Sequence, residues 1–394
     1  MVISNVRIID SDKEIYADVT IKNKQITTIK EVQPKSNHKS TKIIIPSLID
    51  LNVHIKDNLL NGKTMNGVAK DACSGGVFEI ALSPESTPSI DNEIALEFIQ
   101  SHNNSLGGAK FHSIINSTTS DKELSNIAIL LKRGAVAVFM STKTDNILAT
   151  KIAQYVKMYD VTLFCRAEDK SLSQDGVMNE GKTSSKLGLP GISAIGELLH
   201  VSRMIEIARY YKIRVLFQSI TSPKSIQLIT KAKKEGVKVR CEVSIHHILC
   251  SDEMCENFNT TAKIYPPLQS LQDMQTMRKM LQNGEIDILT TLHHPSSAVN
   301  KEVAFSDASY GCEAIGHAVP LYYTKLIKAN LISFKDLIKL CVTNPATMIN
   351  QTIKPITTGS TNFILLDTQK TVTVYNKNSL YNLQTLHGKI NVCS

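Results

Sequence analysis

The 394-residue chain has no tryptophan, and its aromatic content is 5%. Proteins that hold single-stranded nucleic acid stack bases on aromatic side chains beside a basic stripe. The formal net charge is +8, but the lysines are dispersed, with only short clusters such as Lys231–Lys234. They read as solvated helix faces, and no nucleic-acid partner is expected. Also missing is any Cys-X2-Cys pair: the cysteines stand at Cys73, Cys165, Cys241, Cys250, Cys255, Cys312, Cys341 and Cys393. A zinc ribbon is therefore not expected, and several of these positions lie in apolar segments where buried reduced thiols belong. No apolar run approaches the roughly 20 residues of a membrane span. The start, MVISNVRIIDSDKEIYADVTI, lacks the basic end, long apolar centre and small-residue cleavage site of a signal peptide. A cytoplasmic protein with no membrane partner is expected.

What is present is ordinary globular composition, 42% hydrophobic and 20% charged, in a chain long enough for one large barrel and a small appendage. Val2–Ile9, Ile15–Ile21 and Gln25–Ile29 alternate like short strands, with turns at Asp10–Lys13 and Lys22–Lys24. They are too few to form a core alone. Asn362–Leu366, Val372–Tyr375 and Leu386–Val392 offer partner strands. The two chain ends, residues 1–46 and 350–394, are expected to build one composite β-sandwich.

Between them, residues 47–349 alternate strand and helix patterns. Strands are expected at Leu48–Val53, Val77–Leu82, Lys110–Asn116, Val136–Met140, Val161–Arg166, Val215–Ser219, Lys238–Val243 and Ile286–Leu292. Helices are expected at Asp121–Lys132, Ile147–Tyr159, Ser193–Tyr211, Pro223–Glu235 and Ser270–Gln282. Ala318–Ala329, Ser333–Cys341 and Pro345–Asn350 should lead out of the barrel. Eight strands with intervening helices predict an α/β fold, a (β/α)8 TIM barrel.

The organising stretch is Ile43–Asn58, IIIPSLIDLNVHIKDN, an apolar strand ending in Asn52, His54, Lys56 and Asp57. Alternating polar side chains at a buried strand's C-terminal end are how such a barrel presents chemistry. This stretch resembles the first strand of the cyclic amidohydrolases, and of the dihydroorotase family in particular. Asp175–Glu197 (DGVMNEGKTSSKLGLPGISAIGE), Glu242–Asp252 (EVSIHHILCSD), Lys263–Leu268 (KIYPPL), Lys301–Gly311, Asn344–Ile349 and His387–Ile390 resemble further family segments in the same order and spacing.

The resemblance implies an amidohydrolase barrel that opens a cyclic amide with metal-activated water and an aspartate proton shuttle. It also implies where the machinery should lie, and those positions carry other residues. The paired first-strand histidines are Asn52 and His54. The bridging position on the fourth strand is Ser141 or Thr142 in one register and Ala137 in another, with Lys143 nearby. The histidines of the fifth and sixth strands are Arg166 and Ser219, and the catalytic aspartate is Leu292. Among substrate positions, the arginine is Lys56, one asparagine is Glu85, another is Tyr265, and the last histidine is Ser296.

These replacements predict a non-catalytic dihydroorotase-like protein of pyrimidine biosynthesis with no cofactor. The resemblance implies a structural or regulatory partnership with aspartate carbamoyltransferase, which some bacteria pair with an inactive dihydroorotase-like chain, and a homo-oligomer. The alternative is an active dihydroorotase, or another hydrolase of cyclic amides, with zinc on a rearranged single site of His54, His293 and His294, for which Asp57 would have to turn inward as base. A third possibility is a metal-free barrel sensing an anion through Arg166 and Lys56. Arg166 is expected to pair with Glu85 or Glu168 in place of metals, and His246 and His247 to be structural.

Overall fold

The structure, a computed structural model, describes residues 1–33, 40–103, 108–172 and 175–393. Eight parallel strands run in sequence order, each beside the next: Leu48–Val53, Val77–Leu82, Lys110–Asn116, Ala137–Met140, Thr162–Arg166, Arg214–Gln218, Val239–Ser244 and Ile288–Thr290. They are called the first to eighth barrel strands below. The sheet closes on itself just past the eighth strand. There Val53 pairs with His293, and the His54 amide donates to the His293 carbonyl at 2.7 Å.

Local chemistry places the crossovers. Helix Gly62–Gly75 starts at a capping box in which Asn61 accepts from the Thr64 amide at 3.0 Å, and stops at Gly76 with φ +82°. Asp145 caps helix Asn146–Tyr159, and Ser270 caps Leu271–Gln282. Helices Ile195–Tyr211 and Pro223–Lys234 complete the wall beside the fifth to seventh strands. The lumen is filled by Ile49, Leu51, Ala81, Phe139, Phe164 and Leu216, and is stoppered at its N-terminal end by Met348 and Ile349. Parallel strands buried on both faces need near-continuous apolar runs, which is why these segments were legible as strands.

The unit expected as a small β-sandwich from both chain ends is present as one six-stranded sheet. Its strands lie in the order Thr385–Cys393, Phe363–Thr373, Lys42–Pro46, Val2–Ile9, Glu14–Lys22 and Gln25–Glu31. Ile8, Val19, Ile44 and Phe363 are among the residues of its core.

Three expectations change. The strands expected at Asn362–Leu366 and Val372–Tyr375 are one strand, Phe363–Thr373, whose register slips between Asp367 and Thr371. The polar residues there suggested a turn, but they absorb an irregularity instead. The helix expected over Asp121–Lys132 covers only Ile127–Lys132, because Thr118 pairs with Leu124 and Lys122 sits at φ +62° in the intervening turn. Finally, two exit helices widen into π-helical turns at Tyr323–Ile327 and Lys339–Thr343. Cys165, Cys241, Cys250, Cys255, Cys312 and Cys341 are buried thiols outside any disulfide, while the Cys393 side chain lies outside the described set. Among the described residues no helix is long and apolar enough to cross a membrane.

Helix Gly62–Gly75 meets the barrel's closing loop at its last residue. A Cβ on Gly75 would lie 1.7 Å from the Ile315 carbonyl oxygen, so backbone would have to move. Gly75→Ala should therefore cost about 1–3 kcal/mol or more of stability in urea unfolding. An unchanged midpoint would contradict this packing.

Candidate functional site

The mouth is built around a buried glutamate that the sequence reading did not single out. Glu242 lies in the seventh strand and is fully buried. Asn52 spends both hydrogens of its amide across the lumen, one on Ser219 Oγ at 2.8 Å and one on Glu242 Oε1 at 2.7 Å. The same oxygen accepts from the Ser219 amide and from the Thr290 hydroxyl, each at 3.3 Å. Glu242 Oε2 is buried without a hydrogen-bond partner among the described residues. Burial, and then the charge of Asp50, push the Glu242 carboxyl up to about 7 against the opposing Asn52 bond. Asp50 is pushed up to about 6 by burial, although the Thr291 hydroxyl at 2.5 Å and amide at 2.9 Å favour its charged form.

A second cluster centres on Arg166, at the end of the fifth strand. Its guanidinium meets Glu85 at 2.6 Å and lies about 6 Å from the ring centres of Phe139 and Tyr265. Burial alone would lower its pKa, but its acidic neighbours, Glu85 foremost, outweigh that and raise it. Of the two carboxylates expected beside Arg166, Glu85 makes the ion pair. Glu168 instead accepts the Tyr265 hydroxyl. Burial and Glu168 hold that phenol well above its ordinary range. The charge of Glu85, at a position where the resemblance implies an asparagine, is neutralised by Arg166.

The histidines are placed differently from any shared metal site. The rings of His54 and His294 stack 4.2 Å apart, within 13° of parallel. An imidazole binds metal in its ring plane at about 2.0–2.1 Å, so two nearly parallel rings at this separation cannot share one ion. His54 Nδ1 faces Asn58 Oδ1 at 3.3 Å, and burial together with the Arg166 charge pushes the ring down to about 3. His293 is buried beside the closing strand pair, and its Nε2 has no partner among the described residues. His246 Nδ1 lies 3.0 Å from the Tyr381 hydroxyl. His247 bonds the Ser244 hydroxyl at 2.7 Å and the Pro266 carbonyl at 3.1 Å, so both have structural partners.

Ser219 and Leu292 are buried at the ends of the sixth and eighth strands with φ of +54° and +47°. Left-handed backbone at non-glycine residues costs of order 1 kcal/mol each and is held by the surrounding structure. Ser141 lies beyond the fourth strand, where its hydroxyl accepts from the Lys143 amide at 3.4 Å. Ala137 packs in the apolar lumen, and Thr142 is half-buried. Lys56 is exposed. Asp57 does not turn inward: its Oδ1 accepts from the Ser297 amide and the Asn300 side chain, both at 2.9 Å. The Ser296 hydroxyl donates to the Tyr310 carbonyl at 3.4 Å.

Among the described residues, no three His, Cys, Asp or Glu side chains are placed to share a metal. The donor set also argues chemically against the divalent metal of metal-dependent cyclic amidohydrolases. An amide, a serine, a leucine and an arginine, Asn52, Ser219, Leu292 and Arg166, stand at four of the six positions that the resemblance assigns to the machinery, and the arginine's charge would repel a cation.

Barrel, appended sheet and mouth together define an amidohydrolase-type fold. The chain superposes on the L-hydantoinase (dihydropyrimidinase) of Arthrobacter aurescens with a TM-score of 0.80 at 18% identity, covering 99% of this chain and 93% of that one. The D-hydantoinase of a Thermus species gives 0.80 at 19%, over 100% and 93%. In sequence, residues 41–214 match the dihydro-orotase-like family model. The chain is 31% identical to the dihydroorotase of Elusimicrobium minutum, covering 98% of this chain and 90% of the relative. It is 32% identical to that of Acetivibrio thermocellus, over 88% and 80%. The chain belongs to the dihydroorotase family.

Two pH dependences follow from the buried groups. Folding raises the Glu242 pKa from 4.5, so its contribution to stability is complete below about 4.5 and is lost as pH rises through about 7. Glu242→Gln keeps an acceptor for Asn52 and removes that loss. Relative to the parent it should gain up to about 3 kcal/mol between about pH 5 and pH 8. A gap that does not change with pH would contradict a raised pKa. The histidines act oppositely. Burial holds His54, His246 and His293 near 3, and His200, His247 and His317 near 4, against an unfolded 6.5. Their stability is present above 6.5 and is lost as pH falls. With His294, also held low, seven buried histidines outnumber the five carboxyls that burial raises, Asp50, Asp71, Glu197, Glu242 and Asp252, so urea stability should fall on acidification below about pH 6.5. A flat profile down to about pH 5 would contradict it.

Proposed function

We propose that this dihydroorotase-family chain does not itself open a cyclic amide. Instead it serves pyrimidine biosynthesis as a structural partner of aspartate carbamoyltransferase, holding that enzyme in a common assembly as a homo-oligomer. The observation that carries the reading is the Asn52–Ser219–Glu242 hydrogen-bonded bridge, which occupies the place where two metal-binding strands would face each other.

Magnitudes favour the non-catalytic reading. A bound metal brings the pKa of water from about 15.7 to about 7, and without it the nucleophile is ordinary water. Loss of the general base, here Leu292, removes a further factor of roughly 10² to 10⁴. Neither loss is offset at the mouth, where Arg166 is tied to Glu85 and the His54 and His294 rings stack. The scaffold around them is intact: a closed barrel, a filled lumen and the joined terminal sheet. A chain retained for its surface rather than its chemistry would keep those features. The relatives named dihydroorotase are about one-third identical, so their activity belongs to them and does not settle that of this chain.

Purified protein should carry only trace zinc after dialysis and show no dihydroorotate turnover above buffer. It should co-elute with aspartate carbamoyltransferase of the same source. Stoichiometric zinc lost on His54→Ala would establish the rearranged single-metal hydrolase instead. A transferase that assembles and works fully without this chain would remove the partnership.

A further inference from the structure

We infer that the floor of the barrel, at the end opposite the mouth, carries a binding site for a small organic polyphosphate. The N-terminal ends of the sixth and seventh strands and the exit helices enclose a cavity of about 520 Å³. Five cationic side chains line it, Arg214, Lys233, Lys238, Arg240 and Lys339, against the single carboxylate of Asp287. That carboxylate is already engaged: Oδ1 accepts from Lys233 Nζ at 2.7 Å, and Oδ2 from the Cys241 amide at 3.0 Å.

The two arginines are left with donors to spare. Arg214 Nη2 is held by Asn350 Oδ1 at 3.0 Å and by the Asp160 carbonyl, yet its Nε is buried without a partner among the described residues. Arg240 Nη1 is buried and unpartnered in the same way. Buried guanidinium N–H groups are nearly always satisfied, and two unsatisfied ones on one cavity wall point to an acceptor that comes from solution.

The chemistry of the wall selects the ligand. Guanidinium forks match phosphate oxygens in pairs, while the lysines add point charges at the rim. Lys233 is paired with Asp287, and Arg214 lies 3.5 Å from the exposed Asp160 carboxylate. Lys238, Arg240 and Lys339 have no ion-pair partner among the described residues, and three such cations point to a group of several negative charges. Val215, Val237, Val239 and Met348 supply an apolar wall for an uncharged remainder. The volume is that of a small-molecule site. Because the strands are parallel, this cavity and the mouth lie at opposite ends of the barrel, so occupancy does not depend on any chemistry at the mouth. The inference therefore stands apart from the proposed function.

The test is titration calorimetry of the full chain with inorganic tripolyphosphate at constant ionic strength, with sulfate as the comparison anion. One saturable site is expected, bound more tightly than sulfate and weakened about tenfold or more by Arg240→Gln and by Arg214→Gln. Lys151→Gln, which removes one exposed positive charge from helix Asn146–Tyr159, should leave the affinity unchanged. If Arg240→Gln fails to fold, the double variant Lys238→Gln/Lys339→Gln, at exposed positions, carries the same comparison. Absence of saturable binding, or equal affinity in the cavity variants and in Lys151→Gln, would overturn the site.

Discussion

A carboxylate buried inside a barrel must be compensated by a cation, by a proton or by hydrogen bonds. Glu242 uses the last two. Its proton is held up to about 7, and the Asn52 amide binds one of its oxygens at 2.7 Å. Everything else at the mouth is arranged around that choice. Because Asn52 bridges to Ser219 as well, one neutral side chain ties the first strand to the sixth and seventh, and Thr290 joins the eighth. A divalent ion would compensate Asp50 and Glu242 with full charges. An amide and protons do so with dipoles, which suffices only because the two carboxyls are shifted toward their neutral forms.

Charge on the other wall is settled in the same local way. Arg166 brings a cation to the end of the fifth strand, and Glu85 cancels it at 2.6 Å. The pair is only partly buried, with side-chain exposures of 18% and 36%, so it adds little net stability. Its consequence is electrostatic: the positive charge lowers the already depressed pKa of His54 and His294. The two imidazoles stay neutral and stack. Each of these contacts removes a group that could otherwise act as ligand, acid or base. Together they occupy most of the polar groups at the mouth, and leave Glu242 Oε2 and His293 Nε2 without partners among the described residues.

The barrel was legible because its signals are local: apolar runs at strand length, caps at helix starts, and glycines at helix ends. The first strand, Leu48–Val53, could be bounded to the residue because a turn-prone Pro46-Ser47 precedes it and polar side chains follow. Legibility failed where pairing overrode local pattern. Polar Thr368–Lys370 signalled a turn, yet the chain continues as one strand whose pairing with Thr385–Cys393 slips there. At the mouth, the replaced positions could be named one by one, but not what replaced the missing contacts. Asn52 meets partners 167 and 190 residues away, and no spacing rule reaches that far. The clue available was a single acid in each of two apolar strands, Asp50 in LIDLNV and Glu242 in VRCEVS. The positive φ at Ser219 and Leu292 left no trace, since neither residue type announces it.

The most direct measurement is anomalous diffraction at the zinc edge from crystals of the full chain grown with excess zinc. The account predicts no anomalous peak within the barrel mouth, with density joining the Asn52 amide to Glu242 and Ser219. A peak coordinated by His54, or a Glu242 side chain released from Asn52 to ligate it, would contradict the account.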